Sequence, residues 1–243
     1  MTNTGAGTGA FEQALHELQH AHEGDGRASL CRPFLRVLPV SGAALSTIGS
    51  GLGVVTICAS DERAARIDEL QIDLGEGPCW EALATGLPVI RSSFSVSEQA
   101  SWPVFAKALS DYGIGALYAF PLAIGALEVG SVDLYSQMPR ELTSSEISNV
   151  TALSQAAAWQ VLRRVLADDS QNDLDVDADP SPGYSRKQVH QATGMIIAQL
   201  QVSAAEALLL LRAHSFSSGR TVREVAHDIV SRKLDLSAEH ERS

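Results

Sequence analysis

The sequence predicts two units in series: an α+β domain whose antiparallel sheet is flanked by helices, then a small all-α bundle of three helices. Three observations carry this reading. Strand-like runs come in two pairs, residues 42–48 with 54–59 and residues 115–121 with 128–135, and a glycine-bearing turn joins each pair into a hairpin. Helical patterns stand apart from these pairs instead of alternating with single strands, so the sheet is antiparallel. Beyond residue 184 the strand pattern stops and three amphipathic stretches follow, two of them opened by matched helix-start signals.

Residues 11–21 and 30–38 read as helices. The first strand pair is joined by Gly49, Ser50, Gly51, Leu52 and Gly53, and the turn of the second pair carries Gly125. Between the pairs, helices are expected over residues 61–70, 79–85 and 102–111; Gly75, Gly77 and Pro78 set a tight turn ahead of the second. Thr143-Ser144-Ser145-Glu146 is a capping box, in which the first side chain accepts from the third helical amide and the glutamate reaches back to the cap amide. That helix is expected to run to about residue 166. Residues 167–184 hold six aspartates, two prolines and a glycine with almost nothing to bury, which describes an exposed, self-repelling linker. The run lacks the glycine and terminal glutamate of a calcium-binding EF-hand loop.

In the last quarter, Val189, Ala192, Ile196 and Leu200 make one apolar stripe. Ser203 with Glu206 and Thr221 with Glu224 are two further capping boxes. Behind them, Ala204, Ala207, Leu208 and Leu211 form one face, and Val222, Val225, Ala226, Ile229 and Val230 another. Three such faces close a bundle.

A chain of 243 residues has room for two modest domains, and its 45% hydrophobic content is that of a folded protein rather than a disordered one. No apolar run approaches the roughly 20 residues needed to span a bilayer, and the polar start lacks a basic segment followed by an apolar one, so a cytoplasmic location is expected. Cys31, Cys58 and Cys79 are an odd count outside any metal-like cluster, and a disulfide framework is not expected. His16 and His20 lie one turn apart with His22 nearby, but nothing completes a metal site; exposed helix histidines are the expectation. There is no GxSxG, HExxH, phosphate-binding Gly-Lys loop or GxGxxG before a helix, so no catalytic residue is assigned and the chain is not expected to be an enzyme. The net charge of −11 is uneven. From Tyr184 onward eight basic side chains face six acidic ones, a local +2 that leaves −13 for the remainder, so only the tail can offer a cationic face to a polyanion.

The motifs HQATGM (His190 to Met195), VSAAEALLLLRAHS and TVREVA stand in the order and spacing of the ANTAR domain, which this segment resembles. The resemblance implies a three-helix module that binds paired RNA hairpins in nascent transcripts and promotes transcription antitermination. Its RNA-contact residues carry over to Gln191, Ala192, Thr193, Gly194 and Arg212, with Arg220 as a further phosphate contact. Most members have lysine between the alanine and the glycine; this chain has Thr193. Gly194 either admits a close backbone approach or lets helices cross closely, and Arg212 either meets RNA or pairs with an acidic neighbour.

Upstream, Ala59-Ser60-Asp61, the LGEGPCWEAL run from Leu74 to Leu83, Trp102-Pro103-Val104-Phe105, Phe120-Pro121-Leu122 and Gly130-Ser131-Val132-Asp133-Leu134-Tyr135 are similar to GAF domains, sensor modules that bind a small molecule or dimerise. The resemblance implies ligand-pocket or redox candidates at Glu76, Cys79, Trp80, Phe120 and Tyr135, and names no cofactor. Cys79 reads either as a thiolate stabilised at a helix N-terminus or as a small buried hydrophobe. The implied organisation is an N-terminal helical region (1–27), a sensor domain (28–166), the linker (167–184), the RNA-binding bundle (185–237) and a tail (238–243). A homodimer is expected through the stripes Phe11, Leu15 and Leu18, and Ile147, Val150, Leu153, Ala157 and Val161. The alternatives are a DNA-binding regulator acting through the C-terminal helices, or a sensor acting through a protein partner.

Overall fold

The computed structural model of the chain describes residues 4–21, 27–48, 54–94, 101–171 and 182–236. It divides into two compact units, Met1–Asp177 and Ala178–Ser243. The first is built on strands β1 (Gly42–Thr47), β2 (Val55–Ala59), β3 (Val89–Arg91), β4 (Ala116–Ile124) and β5 (Leu127–Ser136). They form one antiparallel sheet in the order β2-β1-β5-β4-β3. Both expected hairpins are present, the connection at 49–53 lying outside the described residues. The edge strand β3 was not expected, because three residues after Pro88 are too few to show a period.

The helices of this unit are α1 (Thr4–Gln19), α2 (Arg32–Val37), α3 (Glu62–Leu74), α4 (Pro78–Thr85), α5 (Pro103–Ala108) and α6 (Ser144–Gln171). Helix α1 starts seven residues earlier than the apolar pattern shows, since its first turns are glycine, alanine and threonine. Helix α6 runs on to Gln171, into the stretch expected as linker, because Asp, Ser and Gln lack an apolar face yet do not stop a helix. Residues 172–181 of that linker lie outside the described residues, and its last three, 182–184, belong to the helix that follows.

Strand alternation sorts the sheet into two faces. Ala43, Leu45, Tyr118, Phe120, Leu122, Val132 and Leu134 point to the side covered by α1, α2 and α6 and form the larger core. Ala44, Leu117, Ala119 and Tyr135 point the other way, against Ile67 and Leu70 of α3 and Phe105 of α5. The larger core consumes the stripes expected to dimerise. Leu18, Val150, Leu153, Ala157 and Val161 are fully buried in it, and Phe11, Leu15 and Ile147 pack against it. An apolar stripe read without its tertiary neighbours does not say which neighbour it meets.

A second correction concerns cysteine. Cys31, which precedes α2, and Cys58 on β2 are disulfide-bonded with their Cα atoms 6.4 Å apart. Their separation of 27 residues carried no signal, because only the folding of α2 beside the sheet edge brings them together.

The second unit contains α7 (Pro182–Leu200), α8 (Ala204–Ser218) and α9 (Val222–Val230). Ala192, Ile196, Ala207, Leu211, Val222, Val225, Ala226, Ile229 and Leu236 form its core, with Val189, Leu200, Leu208 and Val230 packed against them. Both capping boxes are formed: the Ser203 and Thr221 amides donate to Glu206 and Glu224 Oε2 at 2.8 Å, and the glutamate amides donate back to the cap hydroxyls. Helix α8 ends on Gly219 in the left-handed conformation. Replacing Thr221 with Ala removes the acceptor at the start of α9, and we expect a loss of about 1 kcal/mol from the second unit, read as a lowered unfolding midpoint of that unit in denaturant titration.

Candidate functional site

On the sheet face below α3 and α4, small polar side chains replace apolar ones. Ser46 on β1 stands opposite Thr56 on β2 and Ser131 on β5, and Asp133 follows two residues along β5 on the same face. Asp68 and Gln71, one turn apart on α3, descend onto this row, and the N-terminus of α4 covers it. Ser46, Asp68, Gln71 and Ser131 are essentially inaccessible and Asp133 nearly so.

Gln71 joins the pieces. Its Nε2 donates to Asp133 Oδ2 at 3.0 Å, its Oε1 accepts from the Cys79 amide at 2.8 Å, and its backbone carbonyl accepts from Trp80 Nε1 at 2.7 Å. Gly77 makes this closure possible. Its φ of +137° is one that side chains rarely adopt, and an added Cβ would come within 2.6 Å of the Gln71 side chain. Beside it, Glu76 Oε1 accepts from the Phe105 amide at 2.6 Å and so ties the turn to α5.

The two carboxyls are coupled. Thr56 Oγ1 donates to Asp68 Oδ2 at 2.5 Å and Ser131 Oγ to Asp133 Oδ1 at 3.3 Å, while no cationic side chain is seen to pair with either among the described residues. Asp68 Oδ1 and Ser46 Oγ are buried without a hydrogen-bond partner. Burial, only partly offset by the hydroxyls of Thr56 and Ser46 nearby, pushes Asp68 up to about 6. Burial and then the charge of Asp68 raise Asp133 well above the carboxylate range.

Four of the five candidates for this region lie at this cover or face. Glu76, Cys79 and Trp80 belong to the α3–α4 junction, and Tyr135 projects from β5, its hydroxyl donating to Asp61 Oδ1 at 3.0 Å. Phe120 does not. It lies in the core on the opposite face, because residues of β4 alternate sides and Leu117 and Ala119 take this one. Cys79 does occupy the first turn of α4, but burial and then the charges of Asp133 and Asp68 hold its thiol well above the usual range. The buried-hydrophobe reading stands and the thiolate reading is corrected: desolvation outweighs the helix terminus. Ser46, Thr56, Asp68, Gln71, Ser131 and Asp133 were missed in the sequence. Their spacing, i and i+3 on a helix and i and i+2 on a strand, is also that of solvent-facing positions, and only the cover by α4 distinguishes the two.

In the second unit the residues expected to meet RNA separate. Gln191 and Gly194 are exposed one turn apart on α7, and a Cβ added at Gly194 would have nothing within 4 Å. The close helix crossing is thereby excluded as a reason for this glycine within the unit. Ala192 is fully buried in the core and is not on the surface. Thr193 is half-buried and its hydroxyl donates to the Val189 carbonyl at 2.7 Å. Arg212 is half-buried on α8. Arg220 pairs with Asp228 at 2.6 Å and also donates to the Glu224 carbonyl, which fastens the α8–α9 turn to α9.

This geometry, a five-stranded antiparallel sheet with helices on both faces followed by a capped three-helix bundle, has clear counterparts among known proteins. Residues 184–230 match the family model of the ANTAR domain. The GAF domain of a phosphoenolpyruvate-protein phosphotransferase from Coxiella burnetii is similar over 70% of this chain and 99% of its own, with a TM-score of 0.56 at 13% identity. The corresponding domain from Acinetobacter is similar over 72% of this chain and 100% of its own, with a TM-score of 0.51 at 10% identity. At such identities the likeness is one of fold. No curated protein matches the chain significantly. The first unit thus has the GAF fold, and residues 184–230 of the second match the ANTAR domain. Among the described residues no helix is long and apolar enough to cross a membrane.

Because Asp68 and Asp133 hold protons more tightly folded than unfolded, the stability they contribute is fully present below about pH 4 and is lost as pH rises through about 6 and beyond. Asp133→Asn mimics the protonated carboxyl. We expect it to leave the melting temperature unchanged near pH 4 and to raise it, relative to the parent chain, by on the order of 5 °C at pH 8, measured by paired thermal melts across that range.

Proposed function

We propose that this chain is a signal-responsive regulator of transcription in the cytoplasm: the GAF-fold unit senses a small molecule or a redox state, and the ANTAR domain binds hairpin RNA in nascent transcripts to promote antitermination. The observation that carries the RNA half is Gly194. A glycine in a helix interior costs about 1 kcal/mol against alanine, and no packing within its unit requires it. The open space beside it suits a molecule from outside, and exposed Gln191 one turn away can hydrogen-bond an unpaired base edge. With Thr193 bonded to its own helix, the positive charge for phosphate contact comes from arginines such as Arg212.

On the sensing side, the buried Asp68–Asp133 pair is suited to respond to a proton or a cationic ligand, because among the described residues no cationic side chain is seen to pair with it. The redox reading rests on the Cys31–Cys58 disulfide and no longer on Cys79. A dithiol reductant would deliver two electrons and two protons to that bond and release β2 from the segment ahead of α2, and disulfides in a reducing compartment are commonly of this labile kind.

The expected homodimer takes a different surface from the stripes buried in the core. Along α6, Ala152, Gln155, Trp159, Leu162 and Leu166 alternate three and four residues apart, the spacing of a coiled-coil seam, with Trp159 57% and Leu166 55% exposed. Two chains paired here would present two ANTAR domains to two hairpins. Light scattering at micromolar concentration is expected to give two chains per particle, and Trp159→Glu to give one.

The RNA reading is tested by titrating the full chain with a tandem hairpin carrying unpaired loops, with duplex DNA as control. Binding is expected only to the hairpin RNA. Gly194→Leu is expected to keep the fold, since the space is open, and to weaken RNA binding about tenfold or more by filling the surface that the backbone of α7 offers. Equal affinity for duplex DNA, or no effect of filling this space, would count against it.

A further inference from the structure

Helix α8 buries Ala207, Leu211 and Ser215, and on the side opposite these it carries Leu209, Ala213 and Phe216, with half-buried Arg212 on their flank. Phe216 is 65% exposed and Leu209 66%. Resting on the RNA reading above, we propose that Phe216 is a base-stacking residue, whose outward ring takes an unpaired base of the hairpin loop.

The surroundings of the ring favour this occupant. Between Ala207 and Ser218 the helix carries Arg212 and His214 and no acidic residue, within a chain whose net charge is −11, so the ring stands in a locally basic stretch that suits an anion, while Arg220 just beyond is already paired with Asp228. Arg212 lies one turn before Phe216 on the same side. The immediate neighbours are small: Ala213 is exposed, and the Ser217 and Ser218 hydroxyls fold back onto the His214 carbonyl at 3.0 and 2.7 Å. A flat ring flanked by small side chains, with a cation one turn away, is the arrangement on which single-stranded bases stack.

A protein partner fits less well. A helix face that docks in a protein groove presents apolar anchors at i, i+3, i+4 and i+7. Here i and i+7 are Leu209 and Phe216, but i+3 is Arg212 and i+4 is the small Ala213, so the two large side chains stand two turns, about 10 Å, apart with no large apolar anchor between them.

The test uses the full chain and a tandem hairpin RNA with 2-aminopurine replacing one loop adenine at a time. Binding by the parent chain is expected to change the fluorescence at one loop position. Phe216→Leu keeps an apolar side chain and loses the π-face; it is expected to weaken RNA binding about 5- to 100-fold and to abolish that fluorescence change, whereas Phe216→Trp retains both. Parent-like affinity and fluorescence in Phe216→Leu would overturn the stacking role while leaving RNA binding in place. If the parent chain binds no hairpin, the RNA reading fails and this inference with it. A change of particle mass in Phe216→Leu with RNA affinity intact would assign the ring to a contact between chains and overturn the proposal.

Discussion

The buried amide of Gln71 is the interaction on which the first unit turns. A single side chain, 1% exposed, bonds Asp133 on the sheet and the first turn of α4, and its own carbonyl takes both the Trp80 indole and the Gly75 amide that ends α3. Losing the side chain would leave two buried groups, the Cys79 amide and Asp133 Oδ2, without this partner at once, each costing about 1–3 kcal/mol. The positive φ at Gly77 follows from the same requirement, because the chain must turn tightly against Gln71 to bring the Cys79 amide to it.

What this closure encloses is a polar interior in place of an oily one. Gln71 and the hydroxyls of Thr56 and Ser131 supply donors, no cationic side chain is seen to pair with Asp68 or Asp133 among the described residues, and burial raises the proton affinity of both carboxyls. Burial first, and then the same two carboxyls, keep Cys79 a thiol at a helix N-terminus. Two negative or partly negative neighbours and full burial oppose the thiolate more strongly than one short helix favours it.

The second unit is organised by its ends. Two capping boxes, a left-handed glycine and the Arg220–Asp228 pair fix where α8 stops and α9 starts, so a small core is enough to hold three helices. That economy leaves much of α7 and α8 facing outward, including an open glycine, an exposed glutamine and an exposed phenylalanine, none of which the core uses.

The sequence by itself determined the hairpins, the caps and the apolar stripes, though not the short strand β3 or the ends of α1 and α6. Hairpins, caps and the period of each stripe depend on residues within a few positions of one another, and the strand pairs and all three capping boxes stand where the pattern placed them. What tertiary structure decided was which face of each element meets which. It put Phe120 on the far side of the sheet from Tyr135, buried the α6 stripe of Val150 and Leu153 and left Trp159 outside, paired Cys31 with Cys58, and turned Ala192 inward beside an outward Gly194. Periodicity says that a stripe is apolar or polar but not what lies opposite. A polar row reads the same whether water or a helix covers it, and only the folded chain put α4 over Asp68 and Asp133.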